Sequence, residues 1–159
     1  MPRISKWNVM PMGEYENREN GGEEGNISIT WKLLILASMI FCHIADDYYL
    51  QGILSKMKQR AWWRKNAPDT LYANDYLMAL AEHAFSWSFI MSLPLMLVGV
   101  VTKNEMLIQH VLMSYFVNTM FHGIIDDLKA NVQVINLVVD QCLHLLQVFL
   151  TWEVALVFF

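Results

Sequence analysis

Polar and apolar stretches alternate along the chain, and the apolar ones are too long to be strands. After a polar beginning, apolar residues dominate from about 27 to 51, 71 to 101, 105 to 129 and 131 to 159. No Asp, Glu, Lys or Arg interrupts 33–42, 84–101 or 106–121, and the last segment is broken only by Asp140, His144 and Glu153. Strands typically run roughly 3–10 residues, whereas a helix crossing a bilayer needs roughly 20. The pattern therefore predicts an all-α fold, a four-helix transmembrane bundle over residues 27–159. Thr102 to Asn104 and the neighbourhood of Ala130 predict short turns. Asp69 predicts the capped start of the second helix, and Pro94 predicts a kink of a kind that membrane bundles tolerate. A soluble four-helix bundle is the competing reading, but each of its helices would show a charged stripe, which the third and fourth segments lack.

Composition matters chiefly through where the charges fall. The 159 residues suit one domain, and 16% of them are charged, against roughly 25% in a soluble domain. A net charge of -4 argues against a nucleic-acid partner, and two cysteines cannot staple a disulfide scaffold. Residues 1–26 include Glu14, Glu16, Glu19, Glu23 and Glu24, with little apolar periodicity and no run resembling a signal peptide. They read as a disordered acidic tail that could recruit a protein partner. Residues 55–66 (SKMKQRAWWRKN) hold five basic residues and no acid. This predicts a cytoplasmic loop, and hence an N-terminus outside, in a multi-pass protein whose main partner is the lipid bilayer. Trp62 and Trp63 suit the headgroup layer better than stacking on a nucleic acid.

Ionisable residues inside apolar segments are costly and mark functional candidates. His43 and Asp47 lie on the first helix, His83 on the second, His122 and Asp126 on the third, and Asp140 and His144 on the fourth. Three of these helices carry a His and an Asp four apart, which places both on one face. Counted from the helix ends near the basic loop, the positions fall at similar depths, roughly 10–18 Å at ~1.5 Å per residue. Four His and three Asp in one layer predict a metal site for one or two ions. Zn fits best and Mn or Fe are possible, with any surplus carboxylates orienting imidazoles. A proton relay or structural His–Asp pairing are the alternatives. His110 lies about 18 Å from His122 along the same helix and about 120° around it, so it is left out. Cys42 and Cys142 read as small buried residues, and the methionines as packing.

The motifs carry a resemblance. HIADDYYLQ (43–51) followed by Lys56, then His83, then HGIIDDLK (122–129), then DQCLHL (140–145) resembles, in order, the elements of domain-of-unknown-function family 3307. The match covers about residues 33–150. The resemblance implies a small helical membrane protein of bacteria or phage, here in the bacterial inner membrane. More distantly, the chain is similar to membrane-bound proteins described as metal-dependent hydrolases. The acidic tail and the length of the basic loop depart from the family pattern.

Together these point to a metal-dependent hydrolase acting on a lipid or phosphorylated substrate near the cytoplasmic face. Asp46 or Asp127, beside the spaced aspartates, is then the expected general base. Gln51, Lys56 and Lys129 are the expected holders of an anionic group. The alternative is a non-enzymatic membrane effector or scaffold whose polar layer is structural or a proton relay.

Overall fold

The computed structural model describes residues 28–159; the acidic tail read over 1–26 lies outside the described residues. The fold is all-helical, with six α-helices and no strand among the described residues. These are α1 (Ile29–Ala45), α2 (Leu54–Met57), α3 (Arg60–Asn66), α4 (Asp75–Val101), α5 (Glu105–Asp127) and α6 (Leu137–Ala155). Side-chain caps start three of the long helices. Ser28 accepts from Thr30 N–H, Asn104 from Leu107 N–H and Asn136 from Val139 N–H, each satisfying a backbone donor that the helix leaves open. Asp69 caps a 3₁₀ turn, Thr70–Tyr72, and α4 begins only at Asp75. From there α4 runs unbroken past Pro94.

The sequence predicted four helices joined by a basic loop. That loop instead forms α2 and α3 and folds back on the bundle. Asn131 fastens it there: its amide donates to Lys58 O at 3.1 Å and to Asp127 Oδ1 at 2.8 Å, while its oxygen accepts from Arg60 N–H at 2.6 Å. A further departure lies at two helix ends. α1 and α5 each close in a π-helical turn, Asp46–Leu50 and Leu128–Val132. Such turns are rare and are frequent at functional sites.

The four long helices pack in a ring, α4 on α5 most extensively, α1 on α4 and α6, and α5 on α6. Gly99 permits the close α4–α5 approach, since a Cβ there would sit 2.8 Å from Ile108 Cγ1. One half of the interior is apolar, built from Ile35, Met39, Met91, Leu95, Leu107, Val111, Val148 and Ala155 with Trp87 and Trp152. The other half is polar, with His43, His83, His122, His144, Asp46, Asp126 and Asp140 all buried. Large apolar side chains face outward instead, among them Phe41, Phe85, Met113, Phe116, Met120 and Leu150.

Three segments are long and apolar enough to cross a membrane: Ile29–Leu50, Thr70–Val101 and Leu137–Phe158. α5 was expected to be a fourth and is not among them, because Gln109, His110, Asn118 and His122 lower its apolarity.

Candidate metal centre

The polar half of the bundle is assembled by the i,i+4 spacing and by the two π turns. His43 lies two residues before the end of α1 and His122 five before the end of α5, and the aspartate pairs Asp46–Asp47 and Asp126–Asp127 sit where α-helix passes into π turn. The wider turn coincides with two adjacent aspartates, Asp46 and Asp47, both turned inward with side chains only 2% and 5% exposed.

Two groups of three residues have ligand atoms close enough to hold a metal ion: Asp47, His83 and His122, and His122, Asp126 and His144. In the first, the Nε2 atoms of His83 and His122 are 3.1 Å apart, and Asp47 Oδ1 lies 3.4 Å and 4.0 Å from them. Asp126 Oδ2 stands 3.3 Å and 3.7 Å from the same two nitrogens. A tetrahedral Zn²⁺ with bonds of about 2.0–2.1 Å has neighbouring ligand atoms about 3.3 Å apart, so these separations fit a small divalent ion. His122 is common to both groups, and its Nδ1 lies 3.1 Å from His144 Nδ1.

Two further features of the chain fit a cation. His144 Nε2 and Asp140 Oδ1, which face each other at 3.4 Å, and Asp46 Oδ2, 3.7 Å from His83 Nδ1, are buried without a hydrogen-bond partner, a rare condition that calls for an explanation. The charge is also incomplete. Asp46, Asp47, Asp126 and Asp140 are matched by Lys58, whose Nζ is 2.6 Å from Asp126 Oδ2, and Lys129, 2.6 Å from Asp140 Oδ2. Asp46 and Asp47 are left facing imidazoles, and a protonated imidazole would offset their charge as a bound cation would. Uncompensated buried charge is strongly unfavourable.

Of the seven residues expected to bind metal, five form the two groups and two flank them. His43 Nδ1 accepts a 2.9 Å hydrogen bond from the Trp87 indole N–H. Indole only donates, so that nitrogen is occupied and the ring proton belongs on Nε2. Asp140 faces His144 Nε2 at 3.4 Å and is held by Lys129 and, at 3.0 Å, by Gln141. Gln141 also donates to Asp47 Oδ2 at 3.0 Å, tying α6 to α1.

The expected bases are placed elsewhere. Asp46 Oδ1 accepts from Ser86 Oγ–H at 3.0 Å, and its Oδ2 lies 3.7 Å from His83 Nδ1, behind the ring whose Nε2 faces the centre. At 3.7 Å no hydrogen bond is formed, but the carboxylate stands on the side of the ring from which it would orient the imidazole. Asp127 is half-buried and engaged by Asn131.

A cleft of about 420 Å³ opens beside the cluster, lined by Asp47, Asp126, Gln51, Lys58 and Lys129 among others. Gln51 donates to the Asp47 backbone carbonyl and lies 3.3 Å from its Oδ1. Lys56 is exposed and does not line this cleft; Lys58, two residues on and so on another side of the short helix, reaches it. Lys58 reads in the sequence as one of five charges in a loop, and only the fold-back reveals its role. Trp87 is the other residue that sequence reasoning passed over. Its buried ring stacks on His122 at 4.1 Å between centroids and 15° between planes. Its place four residues after His83, on the same face, was the signal available. His110 lies apart, 3.2 Å from Ser114 Oγ and stacked near Phe158.

Comparison of the chain with protein-family models, with curated proteins and with solved structures found no match.

Proposed function

We propose that the protein is an integral membrane protein that binds one divalent metal ion, Zn²⁺ best and Mn²⁺ or Fe²⁺ next, and hydrolyses a phosphate-bearing lipid at the cytoplasmic face. The cleft carries this reading: Lys58, Lys129 and Gln51 line the same opening as Asp47 and Asp126 of the two metal-binding groups. Such a layout offers an anionic group two cations beside the reacting centre. The inverted distribution of residues, histidines and aspartates within and Phe, Met and Leu without, supports the bilayer. Within it, α5 crosses as a fourth span, with Asn118 and His122 turned into the bundle. Asn118 Nδ2 donates to Thr151 Oγ1 at 2.8 Å, and Gln147 Nε2 reaches Asn118 O at 3.3 Å. Kinship with family 3307, carried by the four ordered motifs, belongs to the same reading.

A single ion follows from the donor set. A neutral imidazole offers one lone-pair nitrogen, so His122 serves one group at a time. A bound ion supplies Lewis acidity and an acidified water. The chain supplies the rest. Asp47, His83 and His122 hold the ion, Asp46 orients His83, and Lys58 and Lys129 hold the anionic group. Asp126 is the carboxylate left in the cleft to accept a proton.

Elemental analysis of detergent-purified protein tests the first step. Wild type is expected to carry about one equivalent of a transition metal and His122→Ala little. Metal in neither would sink the reading, and release of the protein from membranes at alkaline pH would sink the bilayer assignment. Turnover of phosphatidic acid in mixed micelles, lost in His122→Ala, tests the reaction.

One observation favours a second reading. His83, His122 and His144 form a chain of imidazoles with two 3.1 Å nitrogen–nitrogen steps, which is the spacing of a proton relay. Proton flux into proteoliposomes, compared with Asp47→Asn and Asp140→Asn, decides it; equal flux in all three dismisses a relay.

A further inference from the structure

We infer that the cleft between α3 and the start of α4 is a second site, separate from the metal centre, that binds the phosphate of an anionic phospholipid headgroup. The cleft measures about 430 Å³ and is lined by Arg60, Trp63, Arg64, Asp69, Thr70 and Asn74 among others.

Arg60 and Arg64 stand one helical turn apart on α3, which puts both on one face. Arg60 is already placed. Its guanidinium carbon lies 4.6 Å over the Tyr76 ring and one of its nitrogens donates to the Tyr76 hydroxyl, which leaves further N–H groups of the fork unspent. A guanidinium held this way meets a phosphate with two parallel hydrogen bonds at little ordering cost. Arg64 is exposed, and among the described residues neither arginine is in an ion pair. The lining holds one acid, Asp69, whose carboxylate accepts from Leu71 N–H at 2.8 Å, so the two arginines still leave the cleft net positive. Trp63 is anchored by its indole N–H to Met57 O at 2.6 Å and walls the site.

Position selects the lipid over free phosphate. The cleft stands where the apolar segment Thr70–Val101 begins, beside exposed Leu71 and Tyr72. Trp62 packs edge-on against Trp63, 5.0 Å between centroids, and tryptophans favour the headgroup layer. Basic pockets at the ends of membrane helices recruit anionic headgroups.

The inference rests on the bilayer assignment alone and not on the metal or the hydrolysis. The test is native mass spectrometry of full-length protein purified in detergent, titrated with phosphatidylglycerol or phosphatidylcholine, for wild type, Arg64→Gln, Arg60→Gln and the control Lys103→Gln. Wild type and Lys103→Gln are expected to retain phosphatidylglycerol in preference to phosphatidylcholine. Either arginine variant should retain about ten-fold less, the loss of one charge-assisted hydrogen bond. Millimolar inorganic phosphate should not displace the lipid. Retention in Arg64→Gln equal to wild type, equal retention of the two lipids, or displacement by inorganic phosphate would each overturn the site. Arg64 is exposed, so its variant stays informative if Arg60→Gln fails to fold. Extraction from membranes at alkaline pH, in contrast, would speak against the bilayer assignment itself.

Discussion

Lys58 is the most informative residue to change. Its ammonium is 2.6 Å from Asp126 Oδ2, and the two side chains are 11% and 3% exposed. Lys58→Met keeps the aliphatic stem and removes the charge. In a bundle held together only by ion pairs, this leaves a buried carboxylate unpaired and costs about 3–5 kcal/mol. Where the same carboxylate borders a cation site, a second effect opposes the first. The lysine repels any ion held by the neighbouring imidazoles, and at an effective dielectric of 20 a pair of unit charges 4 Å apart interacts by about 4 kcal/mol. Even half of that, applied to a divalent ion, tightens binding by roughly 100-fold or more, at about 1.4 kcal/mol per decade. Ion binding to the folded state alone then restores stability by mass action. Lys58→Met is therefore expected to melt well below wild type in chelator and to recover much of the difference in micromolar Zn²⁺. Wild type should gain less from the same addition. Thermal melting in detergent, followed by intrinsic tryptophan fluorescence, reads both. The reasoning fails if added metal shifts the two proteins equally, or shifts neither.

Three further outcomes follow from neighbouring contacts. Asp46→Asn removes the charge behind His83 and should weaken metal binding about 10–100-fold, the usual consequence of losing an imidazole's orienting carboxylate; Asp127→Asn should leave the Kd unchanged, both read by competition with a chromogenic chelator. Trp87→Phe keeps a ring over His122 but strips the donor from buried His43 Nδ1, and a loss of about 1–3 kcal/mol is expected by denaturant titration. Gly99→Ala drives a methyl into Ile108 and should cost about 1–3 kcal/mol. Gly123→Ala meets only Ala84 Cβ at an ordinary 3.6 Å and should be near neutral; equal melting points for the two would contradict the close helix approach.

The helical class of the chain was legible because apolar runs of such length have one solution. The shared face of His122 and Asp126, and of Asp140 and His144, was legible because a spacing of four needs no tertiary information. What escaped depends on contacts between distant elements. Lys58 gains its role from Asp126, 68 residues away, and Asn131 fastens α2–α3 to α5 across 71 and 73 residues. The surroundings of the two expected bases were hidden for a related reason. Asp46 and Asp47 differ only in which side of His83 they meet, and α4 decides that. Likewise, a spacing of four does not show that Trp87, on another helix, donates to His43 Nδ1.

Each π turn amounts to about one extra residue threaded into a helix that is otherwise α. Everything after it is turned by about 100° relative to an unbroken helix. Each helix then ends, at Gly52 with φ 52° and at Gln133 with φ 61°, so the two turns act as seams. On the long side of each seam the residues answer to the bundle core and its outer surface. On the short side they answer to Lys58, Lys129 and the cleft. Removing one residue at either seam would shorten the last turn and re-aim the chain where it leaves the helix. The alignment between the apolar body and the cleft that serves its polar end thus depends on the length of the chain at two points as well as on the side chains that fasten it.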